Sequence, residues 1–134
     1  MRRQCERNES ATAQHLPGAA GLFAKLACLF DIWVVEPVAS VVDSPNGIDM
    51  MANCGSYAPD ALDEIYAHLE THLEAVLAPA MQDASAMSAG EIAYILRVAT
   101  TGVKASAGNL PALRKVVDGM IKMAVATVEA GRPA

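Results

Sequence analysis

Two histidines and a glutamate recur at four-residue spacing in the middle of the chain: Glu64, His68 and His72. On an α-helix this spacing aligns the three side chains on one side, and two imidazoles at positions i and i+4 can hold a zinc ion. The zinc-protease motif H-E-x-x-H is incomplete, because Leu69 follows His68 where the motif has glutamate. A metal site and a pair of histidines on the flank of a structural helix both fit the spacing. We predict the second, with no metal and no cofactor.

Other catalytic patterns are missing from the sequence. It contains no G-x-S-x-G, P-loop or dinucleotide-binding fingerprint. The neighbouring carboxylates Asp63 and Glu64 lie near the start of a predicted helix, where the helix dipole favours negative charge. The sequence therefore predicts no catalytic residue, and the protein is not expected to be an enzyme.

The composition predicts a single all-α domain over residues 16–134. Of the 134 residues, 53% are hydrophobic but only 4% are aromatic, and alternating strand patterns are not recognisable. The first 15 residues are polar and without period, so we expect a flexible N-terminal segment. The formal net charge is -5, whereas nucleic-acid-binding surfaces are usually rich in Lys and Arg. We therefore predict no direct nucleic-acid binding.

The cysteines and the longest apolar run indicate in which cellular compartment the protein is expected. Cys5, Cys28 and Cys54 are odd in number and scattered, which favours a reducing compartment. The apolar run 22–35 contains Lys25 and Asp31 and is too short for a membrane span. We predict a cytoplasmic protein without a membrane partner.

Two long helices must position any site in the central part of the chain. The first is predicted from about Ala19 to Val35, with a broad apolar face, and is expected to break at Glu36-Pro37 because the residue before proline disfavours helix. The second begins around Pro59 and carries the two histidines beside an apolar stripe. Pro79 should kink or end it.

A helical hairpin is predicted from Ser88 to Glu129. Ser88 and Glu91 have the spacing of a capping box, and Asn109 with Pro111 marks the start of the second helix. Both helices carry an apolar stripe, and the second is apolar over more than the width that one partner needs, which predicts a four-helix interface with a second copy of the chain. A terminal hairpin that closes a monomeric core is the alternative. The predicted dimer interface comprises Ile95, Ala99, Gly102, Val103, Val117, Met120, Ile121 and Ala124.

The order of these elements resembles the C-terminal regulatory domain of the TetR family of transcriptional regulators. The resemblance lies in an apolar helix ending in Phe30–Pro37, a short helix, the turn Asp43–Gly47, a long acidic helix, and the closing pair that contains Ile92–Lys104 and Leu113–Met120. It is a pattern of helix lengths and small-residue positions without an invariant chemical motif. The helix-turn-helix DNA-binding head of the family is not found before this domain.

The resemblance implies a homodimeric domain that binds a small hydrophobic effector between its central helices. The residues expected to line the cavity are large, apolar or amphipathic, or carry a hydroxyl or imidazole to orient the ligand: Phe30, Trp33, Met51, Tyr66, His72, Tyr94 and Thr101. Two alternatives stay open. One is a helical module that docks another protein, and the other is a metal-binding helical protein using Glu64, His68 and His72.

Overall fold

A computed structural model describes residues 2–42, 59–81, 86–106 and 109–130. This described part of the chain is almost entirely helical and has no β-strand, which confirms the all-α fold. Its α-helices, in chain order, are α1 (Arg2–His15), α2 (Leu22–Phe30), α3 (Glu36–Val42), α4 (Pro59–Leu77), α5 (Ala89–Ser106) and α6 (Leu110–Ala130). Short 3₁₀ turns, Leu16–Gly18 and Ala78–Ala80, follow α1 and α4. The turn predicted at residues 43–47 and the short helix predicted at 48–52 lie outside the described residues.

The predicted boundaries of the last three helices agree with the structure. Ser88 Oγ accepts a hydrogen bond from the Glu91 amide at 3.1 Å, and Asn109 Oδ1 accepts one from the Ala112 amide at 2.8 Å. These caps satisfy amides that have no partner within the helix. Helix α4 ends at Leu77, directly before the 3₁₀ turn that contains Pro79. None of the described helices is long and apolar enough to cross a membrane.

The segment Leu22–Val42 is the centre of the fold. Helices α2 and α3 are continuous through it, and it packs against α1, α4 and α6. Phe30 and Trp33 are fully buried in this segment, as are Leu26 and Leu29. Phe23, three positions before Leu26, is 40% exposed.

The predicted break at Glu36-Pro37 is wrong. The chain remains helical through Pro37 because a π-helical turn, Asp31–Val35, precedes it. The Glu36 amide donates to the Asp31 carbonyl five residues back, instead of the usual four. Proline inside a helix lacks one amide donor and crowds the preceding turn, and the wider π turn accommodates this locally.

Helix α5 packs along α4 more extensively than any other pair of described elements. The ion pair between Arg97 Nη1 and Glu70 Oε1, at 3.3 Å, joins the same two helices. Helix α6 lies against α2 and makes a smaller contact with α5. The two helices of the predicted hairpin are therefore each anchored mainly to the central helices.

Residues Arg2–His15, expected to be a flexible segment, form helix α1. The helix contains no Leu, Ile, Val, Phe or Met, so its sequence carries no apolar stripe that could reveal it. Instead it contacts the π turn and α2. Its polar residues Asn8 and Thr12 are buried in these contacts, so tertiary packing provides what the local pattern lacks.

Candidate functional site

A polar cluster lies between α1, the π turn and α4, and the buried Trp33 side chain forms its inner side. Trp33 is 1% exposed. The His68 ring stacks parallel to the indole, with ring centroids 6.2 Å apart and an interplanar angle of 8°. The His72 ring lies 5.7 Å from the indole at a tilt of 40°. One turn of α4 thus places both imidazoles beside the same aromatic ring.

Glu9 of α1 joins the two histidines. Its Oε1 lies 2.9 Å from His68 Nδ1 and its Oε2 lies 2.8 Å from His72 Nε2. An ionised carboxylate only accepts hydrogen bonds, so the imidazole tautomers that fit these contacts carry the proton on these two nitrogens. The carboxylate is therefore held at both oxygens by imidazoles that α4 presents four residues apart.

A second polar link connects α1 to the indole. Trp33 Nε1 donates to Thr12 Oγ1 at 2.9 Å, and the Thr12 hydroxyl donates to the Asn8 carbonyl at 2.7 Å. Both side chains of this link are buried. A buried indole N–H without an acceptor costs about 1 to 3 kcal/mol, so Thr12 supplies a necessary partner.

The contact between α1 and the core also contains a buried amide donor without a hydrogen-bond partner. Asn8 is 4% exposed, and its Oδ1 accepts a hydrogen bond from Gln4 Nε2 at 2.8 Å. Its Nδ2 has no hydrogen-bond partner within the described structure. Burial of an unpaired amide donor is unfavourable, so the docking of α1 includes one destabilising contact.

Glu64, which the sequence placed beside the histidines, is not the carboxylate that binds them. The structure exposes Glu64 and gives this place to Glu9. Within the described residues no group of three or more His, Cys, Asp or Glu side chains is arranged to hold a metal ion. In this cluster the carboxylate oxygens bond directly to the ring nitrogens that a metal would need.

Cys5 lies on α1 close to this cluster. Burial raises the pKa of its thiol above the ordinary value, and the negative charges of Glu9, Glu64 and Glu6 raise it further. The thiolate is the reactive form of cysteine, and these surroundings disfavour it. The cluster therefore lacks the positive environment that activates a cysteine nucleophile.

The residues predicted to line an effector cavity lie in different parts of the described structure. Phe30, Trp33 and Tyr66 are buried in the core. His72 is partly buried and belongs to the Glu9 cluster. Tyr94 and Thr101 lie exposed on the outer side of α5, and Met51 lies outside the described residues. Of this set, the structure places Trp33 and His72 in one polar site.

The predicted dimer residues divide between two environments. Val117, Ile121 and Ala124 are buried inside the single chain, where they face its own core. Ala99 and Met120 are half-buried, and Ile95 and Gly102 are exposed. Val103 lies in the last turns of α5. Residues of the first group cannot contact a second copy of the chain while this core is intact.

The outer side of α5 is an exposed apolar face that the sequence did not separate from the core face. Ile92, Ala93 and Leu96 point inward, whereas the residues on the opposite side are Tyr94, Ile95, Val98, Thr101 and Gly102. We call these five residues the α5 outer face. Its three large side chains are each just over half exposed, and the exposed Glu91 lies one turn before them on the same side of the helix. In the sequence, an exposed apolar residue, Ile95, directly precedes a buried one, Leu96. This adjacency was the signal that α5 has apolar residues on two sides.

Helix α6 repeats this arrangement on a smaller scale. Met123 is 73% exposed and Val116 is 43% exposed, and the half-buried Met120 lies between them on the helix surface. The charged residues Lys115 and Lys122 lie on a different side of α6. Both helices of the predicted hairpin therefore present apolar side chains to solvent.

Comparison of the chain with protein-family models, curated proteins and solved structures gives no match. The resemblance to TetR-family regulatory domains therefore stays a prediction from the sequence.

Proposed function

We propose that this chain is a regulatory domain that pairs with a second copy through its last two helices and binds a small effector near Trp33. This is the role that the resemblance to TetR-family regulators implies. The observation that carries the proposal is the α5 outer face, where Tyr94, Ile95 and Val98 are exposed together. Single exposed apolar residues are common, whereas three large apolar side chains exposed side by side indicate an interaction surface.

A second copy of the chain fits this surface because a two-fold axis places the same stripe on both sides of the contact. Each subunit carries a formal charge of -5, so an interface centred on these uncharged side chains limits direct repulsion between identical chains. Each large side chain covered by the partner would contribute about 1.5 to 3 kcal/mol at full burial, and correspondingly less for one already half covered. The partner would bury Val116 and Met123 of α6 in the same contact.

Gly102 supports the same arrangement. A Cβ atom built at this position meets no heavy atom within 4 Å in the described structure, apart from its own helix and chain neighbours. Packing among the described residues therefore does not require a glycine here, although glycine inside a helix costs about 1 kcal/mol relative to alanine. Close approach of a second backbone provides a reason for it.

The experiment is sedimentation equilibrium of the full chain and of two variants. Gly102→Glu places a charge at the C-terminal end of the α5 outer face and replaces glycine with a better helix former. Thr71→Glu adds the same charge at an exposed position of α4 and serves as the control. We expect a dimer for the wild type and for Thr71→Glu, and a folded monomer for Gly102→Glu. A wild-type chain that stays monomeric at about millimolar concentration overturns the proposal and favours a module that docks another protein.

The effector half of the proposal rests on the contact between Trp33 and His72. A ligand site needs an apolar wall and a few polar groups to orient the ligand, and these two residues supply one of each. Trp33 is the sole tryptophan of the chain, so its fluorescence reports directly on this site.

A further inference from the structure

We propose that Trp33, His68 and His72 form a binding site for a small carboxylic acid, and that Glu9 of α1 occupies this site in the absence of the ligand. The inference deepens the effector half of the proposed function and rests on it, because it names the chemical class of the effector. It does not depend on dimerisation.

The groups that receive the carboxylate belong to the rigid part of the fold. His68 and His72 are one helical turn apart on α4, so the spacing of their backbone positions does not depend on α1. Trp33 is fully buried and stacks on His68, which fixes the orientation of that ring. The two oxygens of one carboxylate fit this pair, as the Glu9 contacts of 2.9 and 2.8 Å show. A second carboxylate would meet the same prearranged donors.

Helix α1 is held by the Glu9 contacts, which a carboxylate ligand can replace, and by the Thr12–Trp33 hydrogen bond, which water can replace once the helix is released. Its only apolar side chains are those of Cys5, Ala11 and Ala13, so its release exposes little apolar surface of its own. The unpartnered Asn8 Nδ2 is buried only while α1 is docked. Release of the helix would return this donor to water, which favours exchange with a ligand.

The connection and the exposure of the site also permit exchange. Six residues, 16–21, join α1 to α2, and Gly21 within them has φ +89°, a backbone conformation that glycine adopts without strain. The side chains of Glu9 and His68 are 37% and 44% exposed. A small acid can therefore reach the imidazoles from solvent before α1 has separated completely.

Competition with the Glu9 carboxylate determines which acids can bind. A group held on the same chain competes at an effective concentration in the millimolar range or above. A free acid displaces it when an apolar part of the ligand gains contacts that Glu9 does not make. The indole face covered by Thr12 and α1 is the surface available for that part. The expected ligand is a small monocarboxylate with an aromatic or aliphatic group.

The test uses benzoate as the probe and benzamide as its uncharged counterpart. Glu9→Ala empties the place between the imidazoles, and Glu6→Ala removes one carboxylate from an exposed position of the same helix. Binding is followed by Trp33 fluorescence and by titration calorimetry in the full chain. We expect Glu9→Ala to bind benzoate at least tenfold more tightly than the wild type and Glu6→Ala. Addition of His72→Ala to Glu9→Ala should remove this gain.

A measurement on the wild-type chain keeps the inference testable if Glu9→Ala does not fold. Benzoate, but not benzamide, should accelerate hydrogen exchange of the amides in residues 2–15, because it displaces α1. Equal benzoate affinity in both variants, or unchanged exchange in α1, shows that Glu9 does not occupy a ligand site. Benzamide binding equal to that of benzoate refutes the carboxylate class but retains effector binding. If neither probe binds, the inference is overturned, while sedimentation decides dimerisation separately.

Discussion

Glu9 Oε2 of α1 lies 2.8 Å from His72 Nε2 of α4, although 63 positions separate the two residues in the chain. Together with the contact to His68, this bond fastens a helix without large apolar side chains to the core. It also brings a carboxylate to the two imidazoles that the sequence had paired with Glu64. The predictions below begin with this contact.

Replacement of Glu9 by Gln should weaken the attachment of α1. An amide has one acceptor oxygen in place of two, and it carries no negative charge to strengthen the hydrogen bonds. Because the three side chains are partly exposed, we expect a loss of about 1 kcal/mol in the free energy of unfolding. Urea denaturation measures it. Glu6→Gln should change this free energy by less than about 0.5 kcal/mol, and equal losses in both variants would show that the contact contributes nothing.

Thr12→Val should leave the Trp33 indole N–H without an acceptor. The variant keeps the shape of the side chain but removes its hydroxyl, so we expect a loss of about 1 to 3 kcal/mol in the free energy of unfolding. Thr12→Ser keeps the hydroxyl and should lose less. Chemical denaturation followed by Trp33 fluorescence compares the two. A valine variant at least as stable as the serine variant would contradict the predicted role of this hydrogen bond.

Met123→Glu should weaken self-association. The substitution places a charge on the exposed apolar part of α6, where the partner would have to bury it. We expect the dimer dissociation constant to rise at least tenfold in analytical ultracentrifugation. Lys122→Gln changes the net charge by the same amount at the adjacent position and breaks only the exposed pair with Asp118, so it should leave association unchanged. Equal effects of both substitutions would assign the change to net charge and exclude α6 from the interface.

The thiols of Cys5 and Cys28 should react slowly near neutral pH. Burial raises the pKa of Cys28, with further contributions from Asp31 and Glu36, and the pKa of Cys5 is raised in the same direction. The rate of alkylation by iodoacetamide can be followed for each cysteine by peptide mass spectrometry. Because the thiolate is the form that reacts, the pH at which this rate is half its maximum should be higher in the folded chain than in the chain unfolded by urea. Glu9→Gln should move the Cys5 profile toward lower pH.

The same shifts predict a loss of stability at alkaline pH. Folding favours the protonated thiols, so their contribution is complete below the pKa of the unfolded chain and disappears as the pH rises through the folded value. Cys5→Ser should reduce this alkaline loss, as measured by urea denaturation across the pH range. Identical pH dependence in the wild type and the variant would contradict the raised pKa.

The sequence by itself determined the helices whose signals are local. Caps at Ser88 and Asn109, the proline after α4, and apolar residues at helical spacing all act within one or two turns, so they can be read without knowledge of the fold. The same spacing identified His68 and His72 as neighbours on one side of α4. It also indicated that α6 has more apolar surface than one partner needs.

Only the tertiary structure decided which residues these helices contact. Helix α1 has no apolar period, and its stabilising contacts come from Trp33, His68 and His72, which are distant in the chain. Glu9 rather than Glu64 binds the histidines because the packing of α1 brings a remote carboxylate within reach. On α5, periodicity could not tell which apolar side faces the core. Contact with α4 buries Leu96 and leaves Ile95 exposed, since adjacent residues on a helix point about 100° apart and only a packed neighbour selects between them.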